Sequence, residues 1–218
     1  MRYAVYYCPP SGSELDRLGR QWLATSVLPG IASERLNALL SDARRYGWHA
    51  TIHAPFALAA GASYEDLRQA VLAVAQRTTS FVLPLQLDRL AGFLALRPSA
   101  EQAAVDALAA ACLDALEPIR APVTEAVIQR RAAGLDATGL ALLRRYGYPY
   151  VLDRYRFHMT LSASASAHEE HVMHEALAQL MTSLSSVNID ALTICREVSP
   201  GADFEMIERV PLRMGKAA

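Results

Sequence analysis

The pattern His-x-Thr occurs twice in this chain, at His49-Ala50-Thr51 and at His158-Met159-Thr160, and the elements read after each copy come in the same order. With six histidines in 218 residues, two copies arise by accident with a probability of roughly 2%. The first copy lies in a short strand over Trp48 to His53, which Pro55 ends. A helix from Ser63 to Arg77 follows, opened by Ser63 and Asp66 in a capping-box pattern and repeating apolar residues at Leu67, Val71 and Val74. Two strands, Phe81 to Leu87 and Gly92 to Leu96, come next. The second copy lies in an extended run over Val151 to Ser162, followed by a helix over His168 to Leu184, a strand over Val187 to Arg196, a turn at Pro200 to Asp203 and a strand over Phe204 to Pro211. Such a chain can set one equivalent strand from each half against a shared cleft, and duplication accounts for the motif's occurring twice.

The remaining segments fit one α+β domain over residues 1–218. Residues 2 to 8 are rich in Tyr and Val and read as a first strand, stopped by Pro9-Pro10. Ser13 caps a helix from Glu14 to Ala24 that carries Leu15, Leu18 and Trp22 on one face, and a second helix runs from Ser33 to Ala43. Ser99 to Leu116 is amphipathic, whereas Pro118 to Gly147 is basic and helical in two pieces broken near Gly134, with Gly147 as a C-cap. That last segment reads as an inserted helical hairpin. The apolar N-terminus is broken too early for a signal-peptide core or a membrane span. Cys8, Cys112 and Cys195 are scattered and lack C-x-x-C spacing, as expected of small core residues in a reduced, cytoplasmic protein.

Hydrophobic residues make up 52% of the chain, enough for one large core or two lobes sharing an interface. The 21 basic residues are balanced by 22 acidic ones, which argues against affinity resting on a broad positive field. An anionic ligand must therefore be captured locally. Lys216 is the single lysine, so arginine supplies the other cations, and arginine suits bidentate contacts with phosphate.

In a strand, residues i and i+2 share a face, so His49 projects with Thr51 and His158 with Thr160. Free imidazole has a pKa of about 6.5, so one histidine can take a proton while a second, protonated by its surroundings, gives one. For a cyclic phosphodiester, the attacking water must lose a proton and the departing alkoxide must gain one on the opposite side of phosphorus. Two imidazoles from opposite lobes meet that requirement, while the threonine hydroxyls hold the non-bridging oxygens. This chemistry calls for no metal and no cofactor.

The chain resembles the two-histidine (2H) phosphoesterase superfamily, defined by two His-x-[Thr/Ser] motifs on a bilobed α+β fold. More closely, Arg45 to Phe56, Gly92 to Leu96, and Tyr146 to Leu152 before Arg156 to Leu161 look like a bacterial branch associated with phosphonate breakdown. The resemblance implies a pseudo-twofold fold of antiparallel sheets flanked by helices around a central cleft. It also implies metal-independent phosphodiester chemistry, with His49 and His158 as acid/base residues and Thr51 and Thr160 as phosphate ligands. Where the branch is expected to have lysine, this chain has His53. Two residues beyond Thr51, His53 is expected to share the motif face and to bind phosphate with a charge that depends on pH, more weakly above neutrality.

Arg156 lies two residues before His158 and is a further phosphate candidate, unless it forms an ion pair with Asp153. Tyr6 fits either the cleft lining or the core. His168, His171 and His174 are spaced three and three, which drifts around a helix and suits a solvated face better than a metal site. The expected partner is a small phosphorylated molecule, a cyclic phosphate or nucleotide, or an RNA end, and no membrane is involved. The leading reading is a phosphoesterase acting on a cyclic or strained phosphodiester, or running the related transfer in reverse. The alternative is a nucleotide- or RNA-end-binding module that keeps the cleft without turnover, and a metal hydrolase using the 168 to 174 histidines is a third.

Overall fold

A computed structural model describes residues 1–215, and Lys216 lies outside them. Eight strands form one antiparallel sheet: β1 (Arg2–Tyr7), β2 (Ala50–Phe56), β3 (Phe81–Leu90), β4 (Phe93–Pro98), β5 (Met159–Thr160), β6 (Ser186–Ile189), β7 (Ala191–Glu197) and β8 (Phe204–Pro211). Their order across the sheet is β6-β3-β4-β5-β2-β1-β7-β8. The two motif strands, β5 and β2, are central neighbours. To one side lies the β3–β4 hairpin with β6, and to the other β1 with the β7–β8 hairpin, so each lobe draws strands from both halves of the sequence.

Among the described residues, seven α-helices accompany the sheet: α1 (Glu14–Leu23), α2 (Ser33–Tyr46), α3 (Tyr64–Arg77), α4 (Ala103–Leu116), α5 (Glu125–Arg131), α6 (Ala137–Tyr146) and α7 (Ala167–Leu180). Their starts follow the sequence: Ser13, Ser63, Asp136 and Ser166 each accept a backbone N–H from the first turn, and Ser63 and Ser166 form complete capping boxes. Gly134 and Gly147 have positive φ, 77° and 74°, and so break and end the hairpin of α5 and α6. The longest helix has 14 residues, and no helix of the described residues is long and apolar enough to cross a membrane.

The strands sort the side chains into two layers. Tyr3, Val5 and Tyr7 of β1 enter the main core with Leu36, Leu39, Leu67, Leu94 and Leu96, whereas Ala4, Tyr6 and Cys8 pack on the other face with Cys195 and Phe204. The period of two in β1 thus separates the face covered by the main core from the face that carries Tyr6.

Two expected segments differ. The run over Val151 to Ser162 holds only a two-residue strand, because Leu152–Arg154 is a 3-10 turn entered through Leu152 at φ 53°. The strand expected over Val187 to Arg196 breaks at Asp190. Its first part pairs with β3 at one edge of the sheet, and its second with β1 beyond the centre. Apolar content alone cannot mark that break, since Val187, Ile189, Ala191 and Leu192 are all buried.

Candidate active site

The register between the motif strands builds the site. Ala50 pairs with Met159 in antiparallel sense, and both are fully buried in the main core. Antiparallel pairing then sets His49 beside Thr160 and Thr51 beside His158, all four facing away from the core, where opposed residues stand about 5 Å apart at Cβ. A quartet with local twofold symmetry results.

Each imidazole is held by the same local bond. Nδ1 of His49 lies 2.9 Å from the Gly47 carbonyl oxygen, and Nδ1 of His158 lies 2.8 Å from that of Arg156. A carbonyl oxygen only accepts, so in both rings Nδ1 carries the proton and Nε2 is left for chemistry. His49 Nε2 is 3.4 Å from Thr51 Oγ1. Tyr6 stacks on His49 with ring centroids 4.0 Å apart and an interplanar angle of 29°, and Tyr46 lies at 6.0 Å. Phe93 stands 5.8 Å from His158.

Burial pushes the His49 pKa down to about 4, and the nearby His158 lowers it further. For His158, burial again lowers the pKa below 6.5, with Arg97 adding to the effect. Arg97 follows from the register: Ala95 pairs with Thr160 and Leu96 with Met159, so Arg97 comes next to His158. Its Nη1 donates to Asp88 at 2.6 Å, while its Nε is buried and unpartnered. Strand alternation after Phe93 was the signal that could have singled out Arg97 from sequence.

A cavity of about 280 Å³ opens beside the quartet, lined by Thr51 and His158 and walled by Phe93, Leu113, Tyr146, Tyr148 and Tyr155 among others. Tyr155 donates to the Thr51 carbonyl at 2.9 Å and so joins the cavity wall to the first motif strand. Among the described residues the two non-glycine residues with positive φ, Ala91 at 48° and Leu152 at 53°, both line this cavity. Strain of that kind collects where a binding surface dictates the backbone.

The expectation for His53 needs correcting. Thr51 lies across from Tyr6 but His53 lies across from Val5, so β2 spends two residues where β1 spends one. That bulge breaks the regular alternation between Thr51 and His53, although both line the cavity. His53 lines one end of the cavity but is only 5% exposed. Its Nδ1 donates to the Ala54 carbonyl at 2.9 Å, and its Nε2 is buried without a partner. Burial lowers its pKa to about 4, so the charge change expected near neutrality falls well below it.

Arg156 is exposed at the cavity rim. Its Nη1 bonds to the carbonyl oxygens of Asp153, at 3.1 Å, and Tyr155, at 2.8 Å, in place of the ion pair with the Asp153 carboxylate. His168, His171 and His174 are exposed on α7, and among the described residues no group of three or more His, Cys, Asp or Glu is placed to hold a metal ion.

The sequence profile of the family described as "Protein of unknown function (DUF1045)" matches residues 51–205, more than half of the chain. The chain belongs to this family. Two curated relatives of this DUF1045 member are called ribose 1,5-bisphosphate phosphokinase PhnN. The one from Janthinobacterium sp. (strain Marseille) is 38% identical over 96% of this chain and 50% of its own length. The one from Laribacter hongkongensis (strain HLHK9) is 37% identical over 91% and 52%. The DUF1045 chain therefore spans about half the length of the curated relatives it matches. Among solved structures, TT0787 of Thermus thermophilus is similar over 98% of this chain and 99% of its own, with a TM-score of 0.50 at 12% identity. E. coli LigT complexed with NADP+ is similar over 97% of each chain, with a TM-score of 0.48 at 11% identity. The likeness to TT0787 is one of fold, and the DUF1045 chain adopts the two-lobed α+β fold expected of a 2H phosphoesterase.

Proposed function

We propose that this chain is a phosphoesterase that opens a cyclic or otherwise strained phosphodiester with His49 and His158 as its acid/base pair. The observation that carries the reading is the Ala50–Met159 register, which alone makes one His/Thr quartet out of two distant motifs. His49, stacked on Tyr6 and held neutral by burial, takes the proton of the attacking water at Nε2. As the new P–O bond forms and the ring P–O bond breaks, His158 gives its Nε2 proton to the leaving alkoxide, and the product is a phosphomonoester. An anionic substrate favours the protonated form of His158 at the moment it is needed. Thr51 and Thr160 hold the non-bridging oxygens, with Arg156 at the rim. His53, kept neutral, adds no charge to phosphate binding.

The relatives' name makes ribose phosphates the first substrate class to test, and the resemblance set out from the sequence adds phosphonate breakdown as the setting. The chain spans only about half the length of those relatives, so the phosphokinase activity in their name is not carried over to it. Ribose cyclic phosphates and 2′,3′-cyclic nucleotides, assayed with chelator present against wild type, His49→Ala and His158→Ala, test the proposal. Each substitution is expected to slow turnover by at least about a hundredfold while leaving the melting temperature within a few degrees. Turnover that survives either change sinks the acid/base assignment.

A further inference from the structure

The quartet has local twofold symmetry, but the residues that flank it do not. Tyr6 of β1 pairs with Thr51 and Tyr7 with Ala50, whereas Ala95 of β4 pairs with Thr160 and Leu96 with Met159. The axis that exchanges the two motifs therefore exchanges Tyr6 with Ala95. One step further along, where antiparallel register sets Cys8 beside His49, it sets Arg97 beside His158. On the His49 flank the face is closed, since Tyr6 is 1% exposed and stacks on the imidazole. On the His158 flank a methyl group takes the place of that ring, and a cation stands next to it. Of these four flanking residues, Arg97 alone is charged.

The ion pair of Arg97 fixes where its guanidinium lies. Asp88 of β3 pairs with Ala95, so Asp88, Ala95 and Thr160 form one row across three strands. In donating from Nη1 to Asp88 at 2.6 Å, the guanidinium leans into that row, over the small Ala95. Thr160 is then its neighbour one strand away, at a spacing of about 4.8 Å. Asp88 takes a single N–H from Arg97, because its other oxygen accepts the backbone N–H of Arg89 at 2.7 Å. Among the described residues the guanidinium makes no further hydrogen bond, and its Nε is buried without a partner. The side chain is nonetheless 26% exposed, so a ligand on this face can reach it. A guanidinium held at one corner by a carboxylate is oriented, and its free N–H groups keep the planar fork that matches phosphate oxygens. Buried donors left without a partner cost stability until a ligand fills them.

We propose that Arg97 is a phosphate ligand of this site, which with Thr160 binds the non-bridging oxygens of the phosphodiester while Asp88 holds it in position. Its N–H groups then meet the oxygens on which charge develops as the ring opens. They also give a symmetric quartet a direction, drawing the phosphorus toward His158, the histidine that lines the cavity. The role rests on the phosphoesterase reading for turnover, but not for the binding of phosphate itself.

Inorganic phosphate is the probe, titrated calorimetrically into wild type, Arg97→Gln, Arg97→Lys and Arg89→Gln, alongside turnover of a ribose cyclic phosphate and a nucleoside 2′,3′-cyclic phosphate. Arg97→Gln is expected to weaken phosphate binding and to lower kcat/KM, each by at least about tenfold. Arg97→Lys, which keeps the charge but loses the fork, falls between that variant and wild type. Arg89→Gln changes neither, since the Arg89 side chain pairs with Glu170 instead. His158 faces Arg97 from β4 and His49 from β2, and removing the cation lets it hold its proton to higher pH. The falling limb of the pH profile therefore moves up in Arg97→Gln, a shift that a merely structural residue does not cause. No measurable phosphate binding to wild type, affinity unchanged in Arg97→Gln, a limb that stays in place, or a lysine variant no better than the glutamine one overturns the proposal. Each of these leaves the phosphoesterase reading standing so long as a diester turns over. If neither diester turns over on wild type, that reading fails, and the phosphate titration decides Arg97 alone. Should Arg97→Gln fail to fold, Arg97→Lys is read by itself: weakened phosphate binding supports the role, and unchanged binding refutes it.

Discussion

At the scale of single residues, the two motif histidines share a bond that each motif makes within itself. The carbonyl two positions earlier takes Nδ1–H in both, so the tautomer is set by the chain and not by the ligand. Their surroundings then separate them: His49 is stacked on a buried tyrosine, and His158 sits beside Arg97. Under the proposed assignment the base works only while His49 is unprotonated, above about 4, and the acid only while His158 holds its proton, below a pKa that lies under 6.5. The profile of kcat/KM against pH is therefore expected to be a bell whose maximum lies on the acid side of 6.5 and which falls as pH rises. Its falling limb should keep its position and slope in His53→Asn, because His53 is neutral throughout that range. A maximum at about pH 7.5 or above would contradict the assignment. The His/Thr pairs were legible because strand alternation is a local rule. The burial of His53 was not, because the bulge beside it is written in β1 as much as in β2.

Among the elements, α1 governs the motif strands out of proportion to its ten residues. Trp22 Nε1 donates to the Leu161 carbonyl at 2.7 Å, just past Thr160, and Trp48 Nε1, just before His49, donates to the Leu15 carbonyl of α1 at 3.0 Å. One helix thus clamps the chain beside both His/Thr pairs. Trp48 lies flat against Gly19, where an added Cβ would come within 2.2 Å of the indole. Gly19→Ala improves helix propensity by about 1 kcal/mol, but the overlap displaces Trp48 and costs about 1–3 kcal/mol, so a net loss of stability is expected. Thermal unfolding and turnover measured together check this: both should fall, and an alanine variant as stable and active as wild type would mean that Trp48 has room to move. The helix itself was legible from Ser13 and the spacing of Leu15, Leu18 and Trp22. Its service to both motifs was not, since both tryptophan bonds join segments far apart in sequence, and no periodicity encodes such a partner.

Over the whole molecule, the order of strands departs from the simple picture of two halves making two lobes. The hairpin after the first motif pairs with the strand of the second, and the hairpin after the second pairs, through β1, with the strand of the first. The repeated order of elements was legible in the sequence. This exchange of hairpins was not, because it turns on the break at Asp190. If the chain is cut in the loop at Gly134, fragments 1–134 and 135–218 are each expected to lack a cooperative unfolding transition and to regain one, with activity, only when mixed in equal amounts. A cooperative transition in either fragment alone would show that the lobes are more independent than the pairing implies. The pairing of β1 with β7 also sets a timetable for synthesis. β1 is made long before β7, the strand it pairs with, so Tyr3, Val5 and Tyr7 emerge before those neighbours exist. The lobe of β1, β7 and β8 thus closes only after β8 has been made, and until then its apolar strand has no partner to cover it.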